Sequence, residues 1–300
     1  MQGFLNLHKP VGFTSHDCVA KVRKLLGIKR IGHAGTLDPL ATGVLPLAIG
    51  RATRLIQYLH PDKAYRAVIR LGTTTTTDDL EGETVRAEPV PHLQLETVEA
   101  ALTQFQGTIE QIPPSYSAIQ VEGKRLYRQA RQGKAVEVPK RTVVIHEIRV
   151  LSWVPGDYPE IEVAIACGPG TYIRALARDL GAAVGTGATL ANLVRTWSGG
   201  FALDNSLTLE KLTEQTQAGL FDPVPPNPIL QHLPGLMLPP EQATAWTHGQ
   251  KLILTDIGSD MDGSLRVVDS GQRFLGIGAI AATEAGKQLV PKMVFAPGGE

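Results

Sequence analysis

Cysteine is scarce in this chain, and long apolar runs are missing from it. Its 300 residues contain only Cys18 and Cys167, which excludes a disulfide framework and a cysteine-based zinc site. No segment approaches the roughly 18 uninterrupted apolar residues of a membrane span. The start, MQGFLNLHKP, lacks the basic and apolar regions of a signal peptide. The sequence therefore predicts a soluble, cytoplasmic protein.

Motifs for cofactors are missing as well. The sequence contains neither a GxGxxG nor a GKS/T nucleotide-binding pattern, and its eight histidines show no metal-ligand spacing. We therefore expect no nucleotide cofactor, no other cofactor and no metal.

The net charge of zero conceals an uneven distribution of charge. The first 200 residues hold 23 Lys and Arg against 18 Asp and Glu, whereas the last 100 hold 6 against 11. Residues 18–37 carry five cations and no acid, and residues 121–141 carry seven cations against Glu122 and Glu137. Basic clusters of this kind attract polyanions. On charge alone, however, a solvated protein surface is the favoured interpretation.

Strand and helix patterns indicate an α+β fold. The segment AYRAVIRLG alternates, which places Tyr65 on the apolar face of a strand, and TSHDCVAKVRKLLG has the apolar stripe of a helix ended by Gly27. These patterns do not alternate strictly along the chain, and the loops between them are long, as in α+β proteins. A chain of 300 residues also exceeds the usual span of a single core, so two domains are expected.

Proline marks the boundary between the two predicted domains. The stretch 222–240, DPVPPNPILQHLPGLMLPP, can form neither a long helix nor a central strand. We predict a first domain over 1–225, a linker over 226–240 and a small β-rich domain over 241–300. Within the first domain, the polar and basic stretch 108–141 is broken by prolines and glycines, which is typical of a functional loop.

The segment GHAGTLDPLATGVLP, residues 32–46, displays a single carboxylate, Asp38. Pro39 disfavours helical geometry at Asp38, and Gly35 and Gly43 allow tight bends or the close approach of a partner. A carboxylate presented in this way suits a nucleophile or a general base. A structural turn is nevertheless the commoner role of an Asp-Pro pair, and composition does not decide between these roles.

The order of residues in this segment resembles the catalytic loop of the TruB-type tRNA pseudouridine synthases. Further segments resemble this family in the same order, between about residues 3 and 201: LNLHKPVGFTSHDCV, AYRAVIRLGTTTTTDDLEG, IPPSYSAIQVEGKRLYRQARQGK and CGPGTYIRALARDLG. The resemblance implies the pseudouridine synthase fold, with a mixed, largely antiparallel sheet flanked by helices and loops. It also implies an RNA-gripping insertion, the thumb, over about 108–141, and the C-terminal segment weakly resembles a PUA-type RNA-binding domain.

The resemblance assigns three catalytic residues, namely Asp38 as the invariant catalytic aspartate, Arg174 as its partner and Tyr65 as the aromatic ring that stacks on the target base. The residues themselves fit these roles. Arg174 falls in the first turn of a predicted helix, where the helix dipole disfavours a cation, and a carboxylate partner would reverse that penalty. From the residues alone, Arg174 could also face solvent or phosphate, and Tyr65 could be a core tyrosine.

The resemblance also implies substrate-binding and RNA-binding residues. His33, Tyr172, Leu193 and Lys9 are expected to bind substrate. The five threonines 73–77 depart from the family's Thr-x-Thr-x-Asp pattern, so Asp79 is expected to be the counterpart of its acidic residue. Six cations of the thumb are expected to bind RNA: Lys124, Arg125, Arg128, Arg131, Lys140 and Arg141.

Together these matches predict the isomerisation of uridine-55 in the T-loop of tRNA to pseudouridine, by base flipping and nucleophilic catalysis by aspartate. The expected partner is the tRNA T-stem-loop, bound by a monomer. Two alternatives are a non-catalytic tRNA-binding or RNA-folding module on the same scaffold, and an Asp-nucleophile hydrolase. The presence of Asp38, Tyr65 and Arg174 favours the synthase over the module. The hydrolase lacks a second acid/base group or a metal site.

Overall fold

The structure is a computed structural model that describes residues 1–114, 120–121, 124–125, 138–254, 263–283 and 286–295. These residues form two large β-sheets, each accompanied by helices, and two small sheets of two strands each.

The first domain begins with a strand, a helix and two further strands. The helix α1 starts after Thr14, whose side chain accepts a hydrogen bond from the backbone N–H of Asp17, while Asp17 bonds back to the cap. This capping box and the end of the helix before Gly27 confirm the predicted helix. The elements are β1 Gly3–Lys9, α1 Ser15–Leu26, β2 Ile31–His33 and β3 Thr42–Ile49.

The middle of the chain supplies most of the large sheet. A 3₁₀ helix, Gly50–Tyr58, leads into the next strand. The elements that follow are β4 Lys63–Leu71, β5 Thr73–Thr75, β6 Thr84–Ala87, α2 Leu95–Leu102, β7 Gly107–Gln111, β8 Gln120–Val121, β9 Lys124–Arg125, β10 Arg141–Val154, β11 Glu160–Cys167, α3 Ile173–Ala183, β12 Ala188–Ser198, β13 Phe201–Ala202 and α4 Leu209–Gln217.

Nine strands form the large sheet, whose main path runs β1-β3-β12-β4-β11-β10-β7, with β2 beside β3 and β13 beside β12. The pair of β12 and β3 is parallel, and the other pairs are antiparallel. This confirms the predicted mixed, largely antiparallel sheet. The alternation of β4 is confirmed as well, because Tyr65, Ala67, Ile69 and Leu71 are all buried.

Helix α3 packs on the sheet beside β4 and β12. Its apolar residues Ile173, Leu176 and Leu180 join the core that Tyr65 and Leu193 enter from the two strands. This packing brings the first turn of α3 to the same place as Tyr65 and Leu193. The thumb stretch leaves the sheet after β7 and returns at β10, where Gln111 and Arg141 pair.

The second sheet has the order β14-β16-β17-β18-β15. Its first strand lies inside the stretch 226–240 that the sequence predicts as a linker. As an edge strand beside β16, it tolerates the flanking prolines. The elements are α5 Pro226–Ile229, β14 Gly235–Leu238, α6 Pro240–Thr247, β15 Leu252–Leu254, β16 Ser264–Asp269, β17 Phe274–Thr283 and β18 Gly286–Val294.

The two sheets share one hydrophobic cluster. Phe4 and Phe201 from the first domain lie in the same buried cluster as Phe274 and Phe295 from the second. No helix among the residues that the structure describes is long and apolar enough to cross a membrane.

Candidate active site

Asp38 and Arg174 contact each other, as the sequence predicts. Asp38 lies on the loop between β2 and β3, and Arg174 is the second residue of α3. The Nε atom of Arg174 lies 3.0 Å from Oδ2 of Asp38. The Arg174 side chain is only 5% exposed, whereas that of Asp38 is 39% exposed. The buried cation therefore orients a carboxylate that remains open to an incoming group.

Asp79 lies behind Arg174. Its Oδ2 atom is 3.5 Å from Nη1 of Arg174, and its side chain is 4% exposed. The same Nη1 donates a hydrogen bond of 3.0 Å to the carbonyl of Thr77, and the Thr77 hydroxyl donates to Asp79. The sequence predicts that Asp79 binds substrate. In this structure Asp79 contacts Arg174 and is not part of the cavity wall.

A cavity of about 280 Å³ opens beside Asp38. Five of the residues predicted from the sequence lie together on its wall: Asp38, Tyr65, Tyr172, Arg174 and Leu193. The rest of the wall comes from the Asp38 loop, the start of β4 and the turn before α3: Gly35, Thr36, Leu37, Lys63, Gly168, Gly170, Thr171 and Ile173.

Tyr65 supplies an aromatic ring to the cavity wall. Its side chain points to the buried face of β4, and burial raises the pKa of its hydroxyl. The hydroxyl is therefore neutral at physiological pH, and it lies within hydrogen-bonding reach of the Arg195 guanidinium. Leu193, on the neighbouring strand β12, pairs with Ala67 and adds an apolar side chain to the same wall.

Arg195 holds the Asp38 loop, a role that the sequence reasoning missed. This arginine on β12 is fully buried. It donates hydrogen bonds to the carbonyls of Val44 at 2.7 Å, Gly35 at 3.2 Å and Thr36 at 3.3 Å. Burial lowers the pKa of Arg195. The bonds run to main-chain atoms far away in the sequence, so no local pattern could reveal them.

Ser15 and Lys9 hold the loop from the other side. The Ser15 hydroxyl accepts a hydrogen bond of 2.8 Å from the N–H of Leu37, the residue before Asp38. Lys9 is fully buried, and its Nζ donates to the carbonyls of Phe13 at 2.6 Å, Pro10 at 2.9 Å and Pro39 at 3.2 Å. Burial lowers the pKa of Lys9. Lys9 was expected to bind substrate, but in this structure it contacts the main chain and does not line the cavity.

Lys63 and His33 differ in their relation to the cavity. Lys63 lines it, and burial lowers the pKa of its ammonium group. The sequence reasoning missed Lys63, although its position two residues before Tyr65 predicts that both side chains lie on the same face of the strand.

His33, on β2 opposite Leu47, is not part of the cavity wall. Burial lowers the pKa of its imidazole, which keeps the ring neutral at pH 7.

The predicted RNA-binding cations lie at the start of β10 and in the stretch of chain before it. Arg141 is exposed at the start of β10, and Lys140 is exposed with its Nζ 3.4 Å from Oε2 of Glu110. Lys124 and Arg125 form strand β9, whereas Arg128 and Arg131 lie outside the described residues. Among the described residues, no group of three or more His, Cys, Asp or Glu side chains is placed to hold a metal ion.

Three family profiles match the chain one after another. The profile "TruB family pseudouridylate synthase (N terminal domain)" matches residues 23–173. The profile "tRNA pseudouridylate synthase B C-terminal domain" matches residues 174–243. The profile "Pseudouridine synthase II TruB, C-terminal" matches residues 234–295. The first profile includes the Asp38 loop and Tyr65, and the second begins at Arg174.

Curated relatives match along nearly the whole chain. The tRNA pseudouridine synthase B of Trichormus variabilis is 57% identical over 298 residues, which cover 99% of each chain. That of Acaryochloris marina is 58% identical over 280 residues, covering 93% of this chain and 95% of the relative. That of Synechocystis sp. is 52% identical over 297 residues, covering 98% of this chain and 100% of the relative.

Solved structures share the fold. A chain in the crystal structure of a Cbf5-Nop10-Gar1 complex superposes with a TM-score of 0.75 at 28% identity. A chain in the structure of an H/ACA RNP bound to a substrate RNA containing 2'-deoxyuridine gives 0.73 at 25% identity. Each match covers 98% of this chain and 85% of the other. With the profiles and the relatives, these similarities show that the chain belongs to the TruB family of tRNA pseudouridine synthases and is an isomerase.

Proposed function

We propose that the chain converts uridine-55 in the T-loop of tRNA to pseudouridine, with Asp38 as the nucleophile. One observation carries this proposal: Asp38 lies on the cavity wall with its carboxylate 3.0 Å from the buried Arg174 and 39% of its side chain exposed. A nucleophile must be both oriented and reachable. Of Asp38 and Asp79, which both pair with Arg174 in the described part of the chain, Asp38 lines the cavity and Asp79 does not.

The reaction moves the glycosidic bond of the uridine from N1 to C5. The aspartate adds to the nucleoside, and the bond between C1′ and N1 breaks. The released uracil turns within the cavity, a bond from C1′ to C5 forms, and the bond to the aspartate breaks, which restores the free carboxylate. C5 then loses its proton and N1 gains one, so the product is an isomer of the substrate. The reaction therefore consumes no oxidant, reductant or donor group.

The walls of the cavity fit a pyrimidine that has been flipped out of its stack. Flipping costs a few kcal/mol, which base contacts in the enzyme offset. Tyr65 offers a ring face for stacking, and Leu193 and Ile173 add apolar surface. Lys63 and Tyr172 lie on the same wall and can contact the polar edge of the base or its ribose.

The cations of the basic insertion are suited to bind the RNA backbone. Arg141 and Lys140 are exposed at its base, next to the β7 strand end that lies close to the cavity. Lys124, Arg125, Arg128 and Arg131 extend the same charge along the sequence. Phosphate contacts by such residues would offset the cost of base flipping and make tRNA binding weaker at high salt.

The second domain and the linker that precedes it are also assigned a role in binding tRNA. We propose that the second domain contacts the acceptor side of the tRNA. Because acidic residues outnumber basic ones in the last 100 residues, nonspecific electrostatic attraction to RNA contributes little to this contact. Cys18 and Cys167 are buried free thiols, which fits the reducing cytoplasm.

The position of the modified uridine can be tested with two tRNA transcripts labelled with tritium at C5 of every uridine, one native and one with cytidine at position 55. The proposal predicts tritium release from the native transcript and none from the cytidine variant. Equal release from both would contradict the assignment to position 55. Tight binding of both transcripts without any release would instead support the non-catalytic RNA-binding module.

A further inference from the structure

A buried glutamine joins the base of the insertion to the cavity. Gln111 is the last residue of β7, where the insertion leaves the sheet, and it is 1% exposed. Its side-chain amide makes two hydrogen bonds with the main chain of Tyr172. Nε2 donates to the Tyr172 carbonyl at 3.2 Å, and Oε1 accepts from the Tyr172 N–H at 3.0 Å.

Tyr172 lies on the cavity wall and immediately precedes helix α3, so a shift of its main chain would move both the wall and the start of the helix. Its own side chain does not cap that helix. Its carbonyl accepts the first hydrogen bond of the helix, 3.1 Å from the N–H of Leu176, and shares that oxygen with Gln111. Gln111 therefore fixes the main chain at the start of α3, two residues before Arg174.

A second contact keeps the base of the insertion against the same helix. Arg178, one turn after Arg174, donates from Nη2 to the carbonyl of Ile112 at 2.8 Å. Its Nη1 lies 3.0 Å from Oδ2 of Asp78, the residue between Thr77 and Asp79. The two residues at the base, Gln111 and Ile112, thus bind α3 on both sides of Arg174.

We propose that Gln111 is a positioning residue for isomerisation, which sets the place of Tyr172 and Arg174 relative to Asp38 through the Tyr172 main chain. Gln111 does not line the cavity, so it acts through Tyr172 and touches no reacting atom. A buried amide that matches both the N–H and the carbonyl of one residue fixes that residue in a single arrangement. This inference rests on the proposed function, because it assigns a role within the same site.

The first test replaces Gln111 by Met, which fills a similar volume without hydrogen bonds. The expected result is a kcat about 10- to 100-fold below wild type, the size of loss that misplaced catalytic groups produce. KM for tRNA should stay within about threefold of wild type, because the variant alters positioning and leaves RNA contacts in place. Gln106→Met, an exposed position on the turn before β7, is the matched control and should retain wild-type kcat.

The second test uses Gln111→Glu and measures kcat relative to wild type between pH 5.5 and 8.5. A protonated glutamic acid donates and accepts like the amide, whereas the ionised form cannot donate to the Tyr172 carbonyl. Burial favours the protonated form. The kcat of this variant per folded molecule, relative to wild type, should therefore rise as the pH falls. A merely structural role would change the folded fraction with pH and leave this ratio constant. This variant also decides the matter if Gln111→Met does not fold.

The outcomes separate this inference from the proposed function. If wild type releases no tritium from C5-labelled tRNA, the proposed function fails. If wild type is active and folded Gln111→Met has the same kcat, the positioning role is wrong. A rise in KM without a change in kcat would also overturn it, since Gln111 would then serve RNA binding. A relative activity of Gln111→Glu that does not depend on pH would overturn it as well.

Discussion

At the scale of single residues, two carboxylates in contact with one arginine have different surroundings. Asp38 is 39% exposed, and Asp79 is 4% exposed. Arg174 lies between them, almost fully buried. The exposed carboxylate can meet substrate, whereas the buried one contacts the arginine and the Thr77 hydroxyl inside the protein. The two aspartates therefore contribute differently to stability and to activity.

Replacement of Arg174 by Met should lower both stability and activity. The change leaves the buried Asp79 without its cation, and breaking one partner of a buried pair costs about 3–5 kcal/mol. Urea unfolding of Arg174→Met followed by circular dichroism measures this loss. Asp38→Asn is the matched comparison, and its loss should stay below about 1 kcal/mol because Asp38 is partly exposed. Equal losses in the two variants would contradict the stabilising role assigned to the buried contact between Arg174 and Asp79.

At the scale of elements, the Asp38 loop is held by three other parts of the fold. Ser15 from α1, Lys9 from β1 and Arg195 from β12 each bond to its main chain. Gly43 lets β3 approach β12 closely, because it has a φ of 98° and a Cβ there would collide with the carbonyl of Arg195. The loop is irregular in its backbone but fixed in its position.

Arg195→Lys should disturb this loop while keeping the charge. Lysine cannot reproduce the planar fork that reaches the carbonyls of Val44, Gly35 and Thr36. With two charged hydrogen bonds lost at about 1.5 kcal/mol each, the free energy of unfolding should fall by about 3 kcal/mol. The kcat should fall as well, because Asp38 lies in the chain between Thr36 and Val44, which Arg195 holds.

The matched control for Arg195→Lys is Arg66→Lys on the neighbouring strand β4. The Arg66 side chain is 56% exposed and pairs with Glu162 at 3.0 Å, so its replacement should change stability by less than about 0.5 kcal/mol. Denaturant unfolding and single-turnover assays of both variants provide the measurement. Unchanged activity of folded Arg195→Lys would mean that the loop does not depend on this arginine.

At the scale of the whole molecule, the two sheets are joined by a common core. The rings of Phe274 and Phe295 lie 5.4 Å apart, and those of Phe4 and Phe201 lie 6.0 Å apart, all within one buried cluster. The second domain therefore covers apolar surface of the first. A shared core couples the unfolding of the two domains.

Phe274→Ala should destabilise the whole chain in one transition. Removal of a buried phenylalanine ring costs about 3–5 kcal/mol. Scanning calorimetry should show a single unfolding peak in wild type and a single peak at lower temperature in the variant. Two separate peaks, of which only one moves, would show that the domains unfold independently despite the shared cluster.

Much of the fold was predictable from the sequence, because local patterns determine its elements. The alternation of β4 and the apolar stripe of α1, with Gly27 after it, each identified an element that the structure confirms. The helix predicted to carry Arg174 in its first turn is also present, as α3. The predicted contact between Asp38 and Arg174 is also present, but it was found through the order of residues in the motifs, since periodicity does not bring a loop and a distant helix together.

The supports of the site were not predictable, for a physical reason. Arg195, Gln111 and, through its bond to Pro39, Lys9 reach main-chain atoms far away in the sequence, and any residue can supply a main-chain atom. No residue type or spacing therefore marks their partners. Lys63 is different, because it shares a strand face with Tyr65 and could have been inferred from alternation.

The most direct test of the central claim compares wild type and Asp38→Asn on a T-loop transcript tritiated at C5 of uridine. The substitution is nearly isosteric, so the fold and the binding of RNA should be retained, and a filter-binding assay serves as the control. The account predicts tritium release by wild type and none above background by Asp38→Asn. Comparable release by the two proteins would contradict the assignment of Asp38 as the nucleophile.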